Sequence, residues 1–126
     1  MIRKSTLNDL LPYKHDAERA GLCFSKNTQY FVYLVNPSSH IYGFIGVLIY
    51  KKKAVIKNIY VLPEVRGNGI FKQLLNFMIS DLLRQNIFNI EATCTKMSIR
   101  EFERRGFKPI KQYKHYTKVR LEVLSE

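Results

Sequence analysis

Tryptophan is absent from this chain of 126 residues, cysteine appears twice, proline four times and glycine six times. Cys23 and Cys94 stand alone, with no CxxC or HxxxH spacing around them, which excludes a disulfide framework and gives no metal site. No apolar run approaches the roughly 18 residues of a membrane helix, and the opening MIRKSTLNDLL lacks the apolar core of a signal peptide. A cytoplasmic protein with no membrane partner is therefore expected. Acidic residues are also scarce, 10 against 21 lysines and arginines, for a formal charge of +11. That excess points to an acidic partner: nucleic acid, a phosphorylated small molecule or an acidic protein face. What the chain does hold is apolar surface. At 46 % hydrophobic residues, with eight phenylalanines and eight tyrosines, it can offset the ordering entropy that keeps polar chains disordered. The length suits a single domain, residues 1–126, that buries roughly two thirds of its unfolded surface.

The order of patterns gives the fold class. A short strand at Ile2 precedes two short helices, one capped by Ser5 or Thr6 and one opened by Pro12 and ended by Gly21. YFVYLV (30–35) and IYGFIGVLIY (41–50) flank the turn NPSSH and read as a hairpin, which AVIKNIYVLP (54–63) extends to a third strand. From Gly69 to Arg84 the spacing becomes helical, with Phe71, Leu74, Leu75, Met78 and Leu82 at steps of three and four. NIEATCT (89–95) is a strand, Ser98–Arg105 a short helix stopped by Gly106, and the remainder one or two strands. The expected fold is α/β: a mixed sheet flanked by helices.

The scarce glycines cluster in PEVRGNGIFKQLL (63–75), between a strand and a helix. A helix that starts there leaves its first N–H groups unpaired and carries about half a positive charge at its end. Gly67 and Gly69 allow a close backbone approach with positive φ, Asn68 tolerates the left-handed region, and Arg66 adds a permanent cation. A pyrophosphate suits this description, although a tight turn alone would also account for the glycines. A P-loop is excluded because no GK[ST] follows, and a dinucleotide fold because GxGxxG with a distant acid is missing.

The run IKNIYVLPEVRGNGIFKQLL resembles the central motif of the GNAT acyltransferase superfamily, a VxP turn followed by [RQ]xxGx[GA]. Val61, Pro63, Arg66, Gly69 and Ile70 match it, and Phe71 departs from it by taking the last, small position. EFERRGF (101–107) is similar to the family's FYEKLGF segment, so nearly the whole chain is covered. The resemblance implies a mostly antiparallel sheet splayed between the fourth and fifth strands, and acetyl-CoA, or another acyl-CoA, as cosubstrate. It places pyrophosphate on the amides of Arg66, Gly67, Asn68, Gly69, Ile70 and Phe71, and the pantetheine arm along Tyr60 and Val61. It also implies direct attack of an amine on the acyl carbonyl, with an oxyanion donor from a strand end or bulge near Ile59 to Val61.

The catalytic part of the motif is thinner. The family's frequent tyrosine acid is Phe102 here, and the asparagine that often stands seven positions before it is Thr95, which can still make a hydrogen bond. Deprotonating a lysine-type amine at pH 7 costs about 4.6 kcal/mol, yet the fourth strand offers only Lys57 and Asn58 where a glutamate is usual. The remaining candidates are Asn58, Glu91 as the nearest carboxylate, and Cys94 as a thiol acid. The bland readings are an outward-facing charge for Glu91 and buried strand filler for Cys94, and they are the commoner roles for such residues.

Arg100, Arg104, Arg105, Lys108, Lys111, Lys114, Lys118 and Arg120 face only Glu101 and Glu103 in the same stretch, with Tyr113 and Tyr116 between them. This is either a solvated face or a docking surface for nucleic acid or an acidic protein. Two functions follow. One is an N-acyltransferase acting on an amine, such as a protein lysine or an amino group of nucleic acid. The other is a GNAT-fold binding module with weak or no catalysis. Loss of the tyrosine supports the module; retention of Arg66, Gly67 and Gly69 supports the enzyme. An open edge at the C-terminal strands permits either a monomer or a homodimer.

Overall fold

The computed structural model describes residues 2–5, 28–34 and 41–123, and the two helices expected before Gly21 lie outside them. Seven strands form one sheet in the order β1-β2-β3-β4-β5-β7-β6. They are β1 (Ile2–Ser5), β2 (Thr28–Leu34), β3 (Ile41–Tyr50), β4 (Lys53–Val61), β5 (Asn89–Cys94), β6 (Lys108–Gln112) and β7 (Thr117–Glu122). All neighbours are antiparallel except β4 and β5. Two helices, α1 (Ile70–Arg84) and α2 (Ile99–Glu103), complete the described elements. Neither is long and apolar enough to cross a membrane.

β3 and β4 are joined by a two-residue turn in which Lys51 and Lys52 both take positive φ, 49° and 63°. Such a turn matches the right-handed twist of the strands it links. β4 then ends at Val61, two residues earlier than the alternation suggests, because Pro63–Val65 turns as a 3-10 helix.

α1 lays Ile70, Leu74, Leu75, Met78 and Leu82 on the sheet, against a layer that includes Ile45, Val47, Ala54, Ile56, Ile90 and Ala92. Burying each large aliphatic side chain of this layer contributes about 1.5–3 kcal/mol. Gly43 lets the helix approach: a Cβ there would meet the Tyr60 carbonyl oxygen at 2.9 Å and Ile70 Cγ2 at 3.1 Å. The helix closes with Asn86 in the left-handed region, φ 63°, while the Ile87 N–H returns to the Leu82 carbonyl at 3.0 Å.

The sheet opens where expected. β4 pairs with β5 only from Lys53 opposite Asn89 to Ile56 opposite Ala92, although β4 runs on to Val61 and β5 to Cys94. At the same point the β3 register shifts from Val47 opposite Ile56 to Gly46 opposite Asn58, so Lys57 is the extra residue of a β-bulge. A bulge bends its strand, and this one bends β4 where its pairing with β5 ends.

Candidate active site in the splayed sheet

The gap between β4 and β5 is a cavity of about 1040 Å³. Ile56, Lys57, Ile59, Tyr60 and Val61 line it from β4, and Ala92, Thr93, Cys94 and Thr95 from β5. The start of α1 forms one end, with Arg66, Gly67, Gly69, Ile70, Phe71 and Lys72. Ser98, Glu101, Phe102 and Tyr116 close the other wall.

Gly67 and Gly69 have φ of 85° and 78°, as the turn requires, and Gly69 is the N-cap of α1. No side chain caps this helix. Its first internal bond runs from the Gln73 N–H to the Gly69 carbonyl at 3.0 Å, so the amides of Ile70, Phe71 and Lys72 have no helical acceptor. A Cβ built on Gly67 would meet nothing within 4 Å. The space above the turn is therefore open, and only the backbone conformation demands glycine there.

Asn68 and Arg66 also hold this turn together. Asn68 is not left-handed; its Nδ2 donates to the Val65 carbonyl at 3.0 Å and braces the 3-10 turn. Arg66 also has structural work: Nε donates to the Val61 carbonyl at 2.8 Å, and the guanidinium lies 5.6 Å from the centroid of the Tyr60 ring. Tyr60 in turn packs against Phe44 with ring centroids 5.8 Å apart.

Electrostatically the cavity is basic. Lys57, Arg66 and Lys72 line it, and the one acid among its described lining residues, Glu101, is engaged by Arg104 and Arg105 at 2.9 Å each. Arg105 further donates to Asn76 at 2.6 Å, which ties α2 to α1. The arrangement suits an anion at the α1 end and an apolar group between the strands.

The three catalytic candidates fare differently. Asn58 follows the bulge in β4, but its side chain lies outside the described residues. Glu91 is not in the cavity. It is 2 % exposed and receives Lys53 at 2.8 Å, Lys118 at 3.5 Å and Arg120 Nε at 2.9 Å. Burial pushes its pKa up, but the hydrogen bonds from Lys53 and Arg120 and the charge of Lys118 prevail and hold it at about 2. A carboxylate that acidic is a poor base for an ammonium group, which removes Glu91 from that role.

Cys94 does line the cavity, yet it is 3 % exposed and its Sγ donates to the Thr117 carbonyl at 3.4 Å. Burial, followed by the charge of Glu103, pushes the thiol above its ordinary range.

Thr95 sits in the turn after β5, where its N–H donates to Ser98 Oγ at 3.2 Å and the two hydroxyls lie 3.3 Å apart. Phe102 is buried edge-on between Phe71 and Phe107, at 6.0 and 5.1 Å between centroids, and carries no proton to donate. Sequence reasoning missed Lys57, Lys72, Ser98 and Tyr116 as cavity residues. The single-residue bulge and the β6–β7 return that bring Lys57 and Tyr116 there have no local signature. The helix start at Ser98 was the only available hint.

This geometry can be set beside known proteins. The family model of the acetyltransferase (GNAT) domain matches residues 26–109. The chain belongs to the GNAT acetyltransferase family. No curated protein sequence matches it. Among solved structures, this GNAT chain resembles the PaiA N-acetyltransferase of Thermoplasma acidophilum in complex with coenzyme A (16 % identity, 98 % of each chain, TM-score 0.79). It also resembles the ribosomal-protein-S18-alanine N-acetyltransferase of Escherichia coli (16 %, 100 % of this chain and 97 % of that one, 0.76). A third is a spermidine N-acetyltransferase variant of Vibrio cholerae (14 %, 97 % and 94 %, 0.77). At such identities the likeness is one of fold, and the two acceptors named among these proteins, a ribosomal-protein alanine and spermidine, differ from each other.

Proposed function

We propose that this GNAT protein is an N-acetyltransferase that takes acetyl-CoA as cosubstrate and passes the acetyl group to an amine. The observation that carries this reading is the uncapped start of α1, with Gly67 and Gly69 at positive φ, opening into the splay between β4 and β5. A pyrophosphate there meets the amides of Ile70, Phe71 and Lys72 that have no helical acceptor, the positive end of the helix, and the cations Arg66 and Lys72. Past Ile56 the β5-facing backbone groups of β4 have no strand partner, so the stretch that holds Tyr60 and Val61 can bond an extended amide-bearing arm. The Val61 carbonyl retains one lone pair after accepting from Arg66.

Acetyl-CoA supplies an acyl thioester with a thiol leaving group. The chain's part is to orient it and to handle protons. The irregular backbone at Lys57 and Asn58 is the oxyanion donor we favour, earlier in β4 than the stretch from Ile59 to Val61. Among the described residues no lining carboxylate is free to act as base, and the amine instead meets a basic cavity that lowers its pKa. Tyr116 brings a phenol to the wall where Phe102 has none, and Thr95 and Ser98 contribute hydroxyls.

The binding-module reading is favoured by one observation, the phenol-free Phe102 wedged between two other rings. Calorimetric titration of acetyl-CoA, followed by a thiol-release assay with candidate amines, separates the two. Binding without release for any amine would favour the module, and no binding would defeat both the enzyme reading and the cofactor site.

A further inference from the structure

The face of the sheet that carries Glu91 is a second charged surface, which meets the cavity at Thr93 and Tyr116. Strand register fixes its composition. Glu91 lies opposite Arg120, and Arg120 opposite Lys108; Thr93 lies opposite Lys118, and Lys118 opposite Lys111. Residues directly opposite one another share a face. Lys53 joins the same face from β4, since its Nζ reaches Glu91. The single buried carboxylate thus serves Lys53, Lys118 and Arg120, while no acid pairs with the exposed Lys108 or Lys111 among the described residues.

Like charges placed directly across strands are destabilising. Here two such pairs sit side by side, Lys108 with Arg120 and Lys111 with Lys118. Buried Glu91 accounts for Lys118 and Arg120, and Glu122 lies 3.4 Å from Arg120, but nothing in the packing requires Lys108 or Lys111, because β6 is exposed along its whole length. The hairpin that links β6 to β7 adds exposed Tyr113 and Tyr116, at 42 % and 50 %, and exposed Lys114 between them. Tyr113 already holds a cation, with Lys111 Nζ 5.1 Å from its ring centroid.

We propose that this face, through Lys108, Lys111 and Lys118 with Tyr113 and Tyr116 at its end, binds single-stranded nucleic acid. Lysines track the phosphates and the tyrosine rings take unstacked bases. An acidic peptide would have no use for the rings. Nor does β6 invite a peptide strand, since Pro109 lacks an N–H and Ile110 is the extra residue of a bulge beside it. Tyr116 lies in both the cavity wall and the hairpin, which places the bound strand next to the proposed transfer site.

The test is fluorescence anisotropy with a labelled single strand of about 12 nucleotides, between about 50 and 200 mM salt. For three phosphate contacts the slope of log affinity against log salt is about −2. Lys108→Gln/Lys111→Gln should weaken binding at least tenfold at the lower salt and flatten the slope by about 1.4. Lys108→Arg/Lys111→Arg should retain binding. Absence of oligonucleotide binding, or binding that the glutamine variant leaves unchanged, overturns the proposal. So does equally tight, equally sensitive binding of polyglutamate, which would make this a general site for acidic proteins. Acetyl-CoA titration into the same samples reports whether the variants are folded. It also keeps this proposal separate from the acetyltransferase reading, since neither lysine touches the cavity.

Discussion

Arg66 reaches back across its own turn to Val61, donating Nε to the carbonyl oxygen at 2.8 Å. One side chain thereby fixes where β4 ends relative to the start of α1 and presents a cation at the mouth of the cavity. Its two duties can be separated. Arg66→Lys keeps the charge but loses the planar fork that bonds the carbonyl, whereas Arg66→Ala loses both. We expect Arg66→Ala to weaken acetyl-CoA binding at least tenfold and to cost about 1 kcal/mol of stability. Arg66→Lys should lose similar stability but keep more of the binding. Equal calorimetric affinities for wild type and the alanine variant would show that Arg66 serves only the turn.

The glycines make opposite predictions. At Gly43 an added Cβ would stand 2.9 Å from the Tyr60 carbonyl oxygen of β4 and 3.1 Å from Ile70 Cγ2 of α1, so Gly43→Ala must displace both neighbours. A cost of about 1–3 kcal/mol is expected in urea unfolding. At Gly67 there is room for a side chain, and only φ of 85° resists it. Gly67→Ala should cost about 1–2 kcal/mol of backbone strain and, in addition, obstruct whatever approaches the open turn. A Gly67→Ala protein that bound acetyl-CoA as wild type does would rule out close approach at that residue.

These residues also show how far the sequence alone can be read. Gly67, Gly69 and Arg66 were legible because positive φ and helix-end chemistry are local properties, carried by residue type and spacing. The α1 face was legible for the same reason, through its 3.6-residue period. Glu91 was not, because its partners Lys53, Lys118 and Arg120 come from two other strands and only register brings them together. The same limit hid Lys57, whose place in the cavity depends on a one-residue slip against β3. Gly43 was silent too, since its reason is a helix 27 positions further on.

Glu91 makes stability depend on pH in a defined direction. Its folded pKa, about 2, lies below the ordinary value of 4.5. A depressed pKa means that the folded state favours the carboxylate, so the contribution is complete above about pH 5 and fades as pH falls toward 2. Glu91→Gln should remove that dependence and leave Lys53, Lys118 and Arg120 facing one another. Breaking a buried pair from one side typically costs about 3–5 kcal/mol. Thermal unfolding of both proteins between pH 7 and pH 3 checks this: wild type should lose stability through the window, while the variant starts lower and changes less.

Tyr116 gives the sharpest test of chemistry, because it is the exposed phenol among the described residues of the cavity wall, while Tyr60 is buried under Arg66 and Phe102 among rings. If its hydroxyl protonates the departing thiolate, removing it affects the transfer step and leaves binding intact. Tyr116→Phe should then lower kcat about 10²-fold with the acetyl-CoA affinity unchanged. Retention of the ring in this variant also preserves stacking, so oligonucleotide binding should persist. A fall in acetyl-CoA affinity with kcat unchanged would instead make Tyr116 a wall of the binding site, and the proton would have to come from the Thr95 and Ser98 hydroxyls or from water.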